Sequence, residues 1–104
     1  NSFMDLSIEQ IMKYVCRDMK ISERQIMGKS RIMEVTLARQ LAMFLSKELT
    51  NASLVSIGSH IGGRDHSTVI HSCKNIDKKI LDDSEFGRKV ESMKNELSGQ
   101  KTSK

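Results

Sequence analysis

The sequence predicts an all-α domain of six helices. Apolar residues recur at spacings of three and four, as on a helix with one buried face, and few runs alternate as strands do. The composition agrees, with seven Met, no Pro, no Trp and 4% aromatic residues. With 104 residues, 38% of them hydrophobic, residues 1–104 are expected to form one domain with a modest core. We expect that core to span about residues 5–98, followed by a polar tail over 99–104.

The first two helices begin with the same capping signal, a serine followed three residues later by a glutamine. The pairs are Ser7 with Gln10 and Ser22 with Gln25. In such a box the serine oxygen accepts the glutamine amide hydrogen, and the glutamine side chain accepts the serine amide hydrogen. The first box predicts a helix over about residues 8–17, and the second predicts a shorter helix ended by the next glycine.

Four further helices follow from the apolar spacing. They are expected over about residues 32–49, 54–61 and 66–81, and from about residue 84 onward. Each has apolar positions on one side. The predicted core positions of these helices are Val35, Ala38, Leu41, Ala42, Leu45, Leu49, Leu54, Ile57, Ile61, Val69, Ile70, Cys73, Ile76, Ile80, Phe86, Val90, Met93 and Leu97.

The fourth and fifth helices have the lengths and the glycine-containing turn of a helix-turn-helix. The fifth begins with polar groups that can contact base edges in a major groove. Asp65 can accept from the cytosine amine, and His66 can donate or lie against a thymine methyl. Ser67 and Thr68 offer hydroxyls. Two other interpretations stay open: Asp65 as a plain N-cap, and the hydroxyl residues as ordinary residues of a helix start or as phosphate ligands.

The excess positive charge lies in the middle of the chain. The net charge is +4, and residues 29–79 hold eight Lys or Arg against four acids, while the rest of the chain is balanced. Lys29 and Arg31 form a basic loop, and Arg39 and Lys47 lie eight residues apart on the third helix. This pattern fits either a face that binds a polyanion or an ordinary solvated surface.

Other functional classes find little support in the sequence. No membrane span, signal peptide, P-loop or catalytic constellation is recognisable, so we expect no enzyme activity and no cofactor. The residues His60, His66, His71 and Cys73 lack metal-ligand spacing, so no metal site is expected. Both cysteines, Cys16 and Cys73, are expected to be reduced in an intracellular, cytoplasmic protein.

At this point the residues resemble a known family. Residues 57–58 and the run Gly-Gly-Arg-Asp-His-Ser-Thr-Val-Ile-His-Ser-Cys at 62–73 are similar to the signature of the C-terminal DNA-binding domain of the bacterial replication initiator family DnaA. The similarity continues through residues 39–51 and the loop at 29–31, and covers about residues 5–98. The resemblance implies a Trp-repressor-like helix-turn-helix fold.

The resemblance also implies a function in replication initiation. The domain would bind double-stranded DnaA boxes, short AT-rich elements of replication origins, with its fifth helix in the major groove and its basic loop in the minor groove. By position in the family motif, the base-reading residues would be Arg31, Asp65, His66, Ser67 and Thr68. The DNA backbone would be contacted by Lys29, Arg39, Lys47, Leu54, Val55, Arg64 and His71.

Further expectations concern the context of the chain. It begins with Asn1 rather than Met, so we expect an excised, monomeric fragment. Its partners would be the ATPase domain of the same protein, which is absent from this chain, and regulatory proteins, in a nucleoid-associated setting. The chain itself would not hydrolyse ATP. Two alternatives remain: a Trp-repressor-like transcription regulator, which usually dimerises on a palindrome, and a helical module that binds an acidic protein.

Overall fold

The computed structural model describes residues 6–99, and this part of the chain folds into six helices without a strand. The predicted all-α class is therefore confirmed. The predicted polar tail beyond Gly99, and the expected start of the core at residue 5, lie outside the described residues. The helices are α1 (Ile8–Met19), α2 (Glu23–Met27), α3 (Met33–Leu49), α4 (Leu54–His60), α5 (His66–Asp82) and α6 (Ser84–Ser98).

Both predicted capping boxes are confirmed. The Ser7 hydroxyl accepts from the Gln10 amide at 3.0 Å, and the Gln10 side chain accepts from the Ser7 amide at 2.9 Å. Ser22 and Gln25 repeat both bonds at 3.1 Å. The helix α1 continues two residues beyond the prediction, and its C-cap, Lys20, adopts a left-handed conformation with φ of 58°. Local capping therefore fixes where these two helices begin.

The core is centred on α3, which packs against helices on several sides. The predicted positions Val35, Ala38 and Leu41 are buried, and so are all residues from 41 to 46. Because α1, α2, α4, α5 and α6 all contact α3, burial extends beyond the single face that the periodicity predicted.

On α5, the sequence prediction of the core contains one error. Ile70 was expected in the core, but 37% of its surface is exposed. The buried positions are Val69, Ser72, Cys73 and Ile76, which follow the spacing of one helical face. Ile70 lies next to that face rather than on it. The predicted core positions Leu49, Leu54, Ile80, Phe86 and Leu97 are only partly buried and pack against the edge of the core.

The cysteines and other potential metal ligands do not cluster into a site within residues 6–99. Cys16 and Cys73 are free and buried, and burial raises the pKa of both thiols. Within residues 6–99, no three His, Cys, Asp or Glu side chains form a group that could hold a metal ion. The helices in the same range are too short or too polar to cross a membrane.

Candidate nucleic-acid interface

The turn between α4 and α5 is held by a close backbone approach. The Arg64 amide donates to the Gly58 carbonyl at 2.8 Å, which folds the chain back over α4. A Cβ at Gly58 would collide with the Arg64 carbonyl. Gly62 and Gly63 both adopt positive φ angles, 80° and 67°, which residues with a side chain rarely adopt. The double glycine therefore follows the end of α4 and allows the turn after which the first residues of α5 are exposed.

The first turn of α5 is exposed, and its N-cap is Asp65. The carboxylate oxygen Oδ1 of Asp65 accepts from both the amide and the hydroxyl of Thr68 at 3.1 Å. The capping interpretation of Asp65 is thus correct. A carboxylate has about four acceptor sites, so capping still leaves capacity for a ligand. The Thr68 hydroxyl has donated its hydrogen, so it offers a ligand only a methyl group and acceptor sites. His66 and Ser67 have no side-chain hydrogen bond within residues 6–99.

The same hydrogen bonds make the cap sensitive to acid. Because the Thr68 amide and hydroxyl donate to it, the pKa of the Asp65 carboxyl lies below its usual range. The ionised cap therefore adds stability above the unfolded pKa of about 4 and loses that contribution as the pH falls through the folded value. We therefore expect wild type to lose stability relative to Asp65→Asn as the pH falls from about 5 to about 2. Thermal denaturation of both proteins across this range tests it, and a constant difference would contradict it.

Arg39 does not lie where the sequence placed it. Both interpretations of its spacing from Lys47, a face that binds a polyanion and a solvated surface, place Arg39 at the surface, but Arg39 is only 8% exposed, whereas Lys47 is exposed. The expectation that Arg39 and Lys47 share an exposed face is therefore wrong. A guanidinium can be buried when carbonyl oxygens satisfy its donors. Here it donates four hydrogen bonds of 2.7 to 3.2 Å to the carbonyls of Gln25, Ile26, Gly28 and Ser30.

Arg64 also turns toward the protein. Its Nη2 donates to the Gly28 carbonyl at 2.5 Å, and its Nη1 donates to the Ile61 carbonyl at 3.1 Å. The side chain is half-buried. The bond to Gly28 joins the residue that directly precedes the basic loop, residues 29–31, to the turn of the helix-turn-helix, although Gly28 and Arg64 are 36 residues apart. The predicted minor-groove and major-groove elements are therefore connected through the residues that lead into each of them.

The other predicted DNA-contacting residues lie at the surface. Lys29 and Arg31 are exposed on the basic loop, Lys47 is exposed on α3, and His71 is exposed on α5. The three Lys and Arg residues form no ion pair within the described part of the chain, so their charge is available to an anion. Two of the residues predicted to contact the DNA backbone are apolar and lie at the start of α4. Of these, Leu54 is half-buried and Val55 is exposed.

Sequence reasoning missed a candidate contact at Ile70. This residue follows His66 by four positions, so the two side chains share a face of α5. An exposed apolar group beside a polar first turn suits the methyl group of thymine. The spacing from His66 could have revealed it, but the apolar side chain was assigned to the core.

Two exposed apolar residues also flank the basic loop. Ile32 is the N-cap of α3, and Met33 is 81% exposed. The sequence indicated a helix start here, but not that both side chains remain outside the core. Apolar side chains next to a minor-groove arginine are common in proteins that bind this groove.

Comparison with known proteins gives one consistent family. The model for the bacterial dnaA protein helix-turn-helix matches residues 8–76. The chromosomal replication initiator protein DnaA of Chlorobaculum tepidum is 45% identical over 88% of this chain and 19% of its own length. Those of Geotalea daltonii and Flavobacterium psychrophilum are each 42% identical, over 89% and 90% of this chain and 21% and 20% of their lengths. The chain thus spans about a fifth of these relatives.

Proposed function

Because the chain belongs to the bacterial DnaA helix-turn-helix family, we propose that it binds DnaA boxes in double-stranded DNA at a replication origin. The observation that carries this proposal is the hydrogen bond from Arg64, in the turn before α5, to the carbonyl of Gly28, which directly precedes the basic loop. It connects the segment that carries the exposed Arg31 to the turn that precedes an exposed polar helix start. A protein that reads two adjacent grooves needs this arrangement. A helix-turn-helix domain is not a catalytic module, in keeping with the expected absence of enzyme activity.

The first turn of α5 would read the major groove. The Asp65 carboxylate can accept from a cytosine amine while it caps the helix, since its acceptor sites exceed the two donors of Thr68. His66 and Ser67 can form hydrogen bonds with base edges. The Thr68 methyl and the exposed Ile70 side chain are suited to thymine methyl groups. Together these groups would distinguish a box from other sequences.

The basic loop would supply the second groove. Arg31 is exposed and free of ion pairs within residues 6–99, so its guanidinium can enter a neighbouring minor groove. A narrow AT-rich minor groove has an enhanced negative potential that attracts arginine. Lys29 adds positive charge next to it. Sequence preference at the AT-rich end of a box would then come from groove width as well as from base contacts.

Contacts with the DNA backbone would come from a smaller set than the sequence predicted. Lys29, Lys47, Leu54, Val55 and His71 remain proposed contacts because they lie at the surface around the two reading elements. Arg39 and Arg64 are left out of this set. Arg39 has four of its five donors on backbone carbonyls, and Arg64 directs its Nη1 and Nη2 to the carbonyls of Ile61 and Gly28.

A binding titration tests the proposal directly. The purified chain is titrated against a fluorescent duplex with a DnaA box and against a scrambled duplex, each at two salt concentrations. We expect binding to the box to be tighter by more than about tenfold, since each mismatched base pair costs about 1–3 kcal/mol. Equal affinity for the two duplexes would instead indicate a basic protein-interaction module. Binding of two chains to a palindrome, rather than one chain to an asymmetric site, would indicate a Trp-repressor-like regulator.

Lys47→Ala is expected to weaken binding to both duplexes to a similar extent. An exposed lysine that contacts phosphate releases about one counterion, so the slope of log affinity against log salt should fall by about one. The measurement is the same titration at several salt concentrations. Lys13→Ala is the matched control because Lys13 is an exposed lysine on α1 that lines a groove with Glu96 and Leu97 of α6, which belong to neither reading element. An unchanged slope for Lys47→Ala would remove this residue from the phosphate contacts.

The wider context also stays a proposal. The matched relatives are between four and five times as long as this chain, so the rest of such a protein, including its ATPase domain, would be the natural covalent partner. The monomeric state, the single-domain organisation, regulatory protein partners and association with the nucleoid remain predictions.

A further inference from the structure

Two guanidinium groups converge on a single backbone carbonyl. The Gly28 oxygen accepts from Arg39 Nη2 at 3.2 Å and from Arg64 Nη2 at 2.5 Å. Arg39 extends from the central helix α3, whereas Arg64 belongs to the turn before α5. Gly28 ends α2 and lies next to the basic loop. One carbonyl thus connects the loop to both the core and the helix-turn-helix.

The segment held by these arginines has little structure of its own to fix it. The helix α2 has five residues, and so short a helix is unstable in isolation. The last carbonyls of any helix lack partners within it. Arg39 donates to the carbonyls of Ile26 and of Gln25, which also accepts from the Gly28 amide, and to that of Ser30, inside the basic loop. Within the loop, the Ser30 carbonyl thus accepts from a side chain nine residues away.

The two arginines are held together against their mutual repulsion. Burial lowers the pKa of Arg39, and the nearby charge of Arg64 lowers it further. Carbonyl oxygens, including those at the negative end of α2, offset that repulsion. If these two arginines only supplied positive charge to a DNA-binding surface, their guanidinium groups would face solvent rather than backbone carbonyls. Arg39 has four of its five N–H donors engaged, which leaves at most one for a phosphate.

We propose that Arg39 and Arg64 are positioning residues, an arginine clamp that holds Arg31 in register with the first turn of α5. This inference rests on the proposed two-groove binding. Without the clamp the loop samples other conformations, and Arg31 loses the fixed distance from α5 that simultaneous contact with two grooves requires. The clamp acts through Arg31 and does not touch DNA.

A double-mutant cycle tests this dependence. The four proteins are wild type, Arg31→Ala, Arg39→Met and the double variant, each titrated against the box and the scrambled duplex. In the wild-type background, we expect Arg31→Ala to weaken box binding by about fivefold or more. In the Arg39→Met background, the same change should weaken it by less than about twofold, because a mispositioned Arg31 contributes little. An equal loss in both backgrounds would overturn the proposal.

Arg88→Met provides the matched control. Arg88 is exposed on α6 and forms no ion pair within residues 6–99, so this change removes one positive charge without altering the clamp. We expect Arg31→Ala to retain its full effect in the Arg88→Met background. Loss of that effect there would show that net charge, and not positioning, controls the contribution of Arg31, and would overturn the proposal.

Folding of the variants is checked separately, since Arg39 is buried. Arg64→Met removes the less buried half of the clamp and is carried through the same cycle. Amide hydrogen exchange without DNA supplies a second readout. We expect faster exchange at the amides of Gly28 and Ile32, which are hydrogen-bonded on either side of the loop, in Arg64→Met, with unchanged protection in α1 and α6. Unchanged exchange at these two amides would contradict the clamp. If wild type itself does not prefer the box, the proposed function fails first, and the clamp's role in DNA reading fails with it.

Discussion

Replacement of Gly58 by alanine is expected to lower the free energy of unfolding by about 1–3 kcal/mol, as in other overpacked sites. The new methyl group would collide with the Arg64 carbonyl, and backbone cannot move aside as a flexible side chain can. Relief of the collision would break the bond from the Arg64 amide to the Gly58 carbonyl, which shapes the turn. This loss should exceed the gain in helix propensity, at most about 1 kcal/mol.

Ser59→Ala is the control for this change. Ser59 is the next residue of α4 and is exposed, so its replacement does not alter the turn. Urea denaturation gives the free energy of unfolding for all three proteins. We also expect Gly58→Ala to lose preference for the box, because the start of α5 would be displaced. A Gly58→Ala protein as stable as Ser59→Ala would show that the turn tolerates a wider approach of its backbone.

Substitution of Asp65 is expected to have the largest effect on binding. Asp65→Ala should weaken binding to the box by about 5- to 150-fold, the range for loss of one base contact, with little change on scrambled DNA. It should also lower the melting temperature, because Thr68 loses the acceptor for both its amide and its hydroxyl. This variant therefore combines the loss of a base contact with the loss of a helix cap. Titrations measure the first effect, and thermal melts measure the second.

Two further variants make that separation. Asp65→Asn keeps a good N-cap but replaces the carboxylate that we propose accepts from a cytosine amine, so it should retain most of the stability and lose box binding. Asp83→Ala removes the cap of α6, where Asp83 Oδ1 accepts from the amides of Glu85 and Phe86 at 3.1 Å. It should lose stability and retain box binding. Full box affinity in Asp65→Asn would mean that Asp65 only caps α5.

The sequence predicted the helices well because their signals are local. The two serine–glutamine boxes, the double glycine and Asp65 each act within about four residues, and every predicted helix is present. Burial was less predictable. Ile70 is apolar but lies beside the packed face of α5, and Ser72 is polar but is buried. The period of a helix gives one face, whereas the neighbouring helices decide how much surface they cover.

The candidate site shows the same limit. Its exposed members, such as Arg31 and His66, were found from the family signature and from residue chemistry. The role of Arg39 could not be predicted, since the sequence does not show whether an arginine at this position faces phosphate or protein. Ile26, whose carbonyl accepts from Arg39, lies 13 residues away. Arg64 and Gly28 are 36 residues apart. No local pattern records such contacts.

By itself, the sequence determined the all-α class, the helix starts, the helix-turn-helix and the family, because capping, periodicity and a contiguous motif are all encoded over short distances. Only the tertiary structure decided which cations face outward and that the basic loop adjoins the turn before α5. The physical reason is that a buried guanidinium must find carbonyl acceptors, and here helix packing supplies them from distant parts of the chain. Two arginines that the sequence assigned to DNA are thereby directed to the protein backbone.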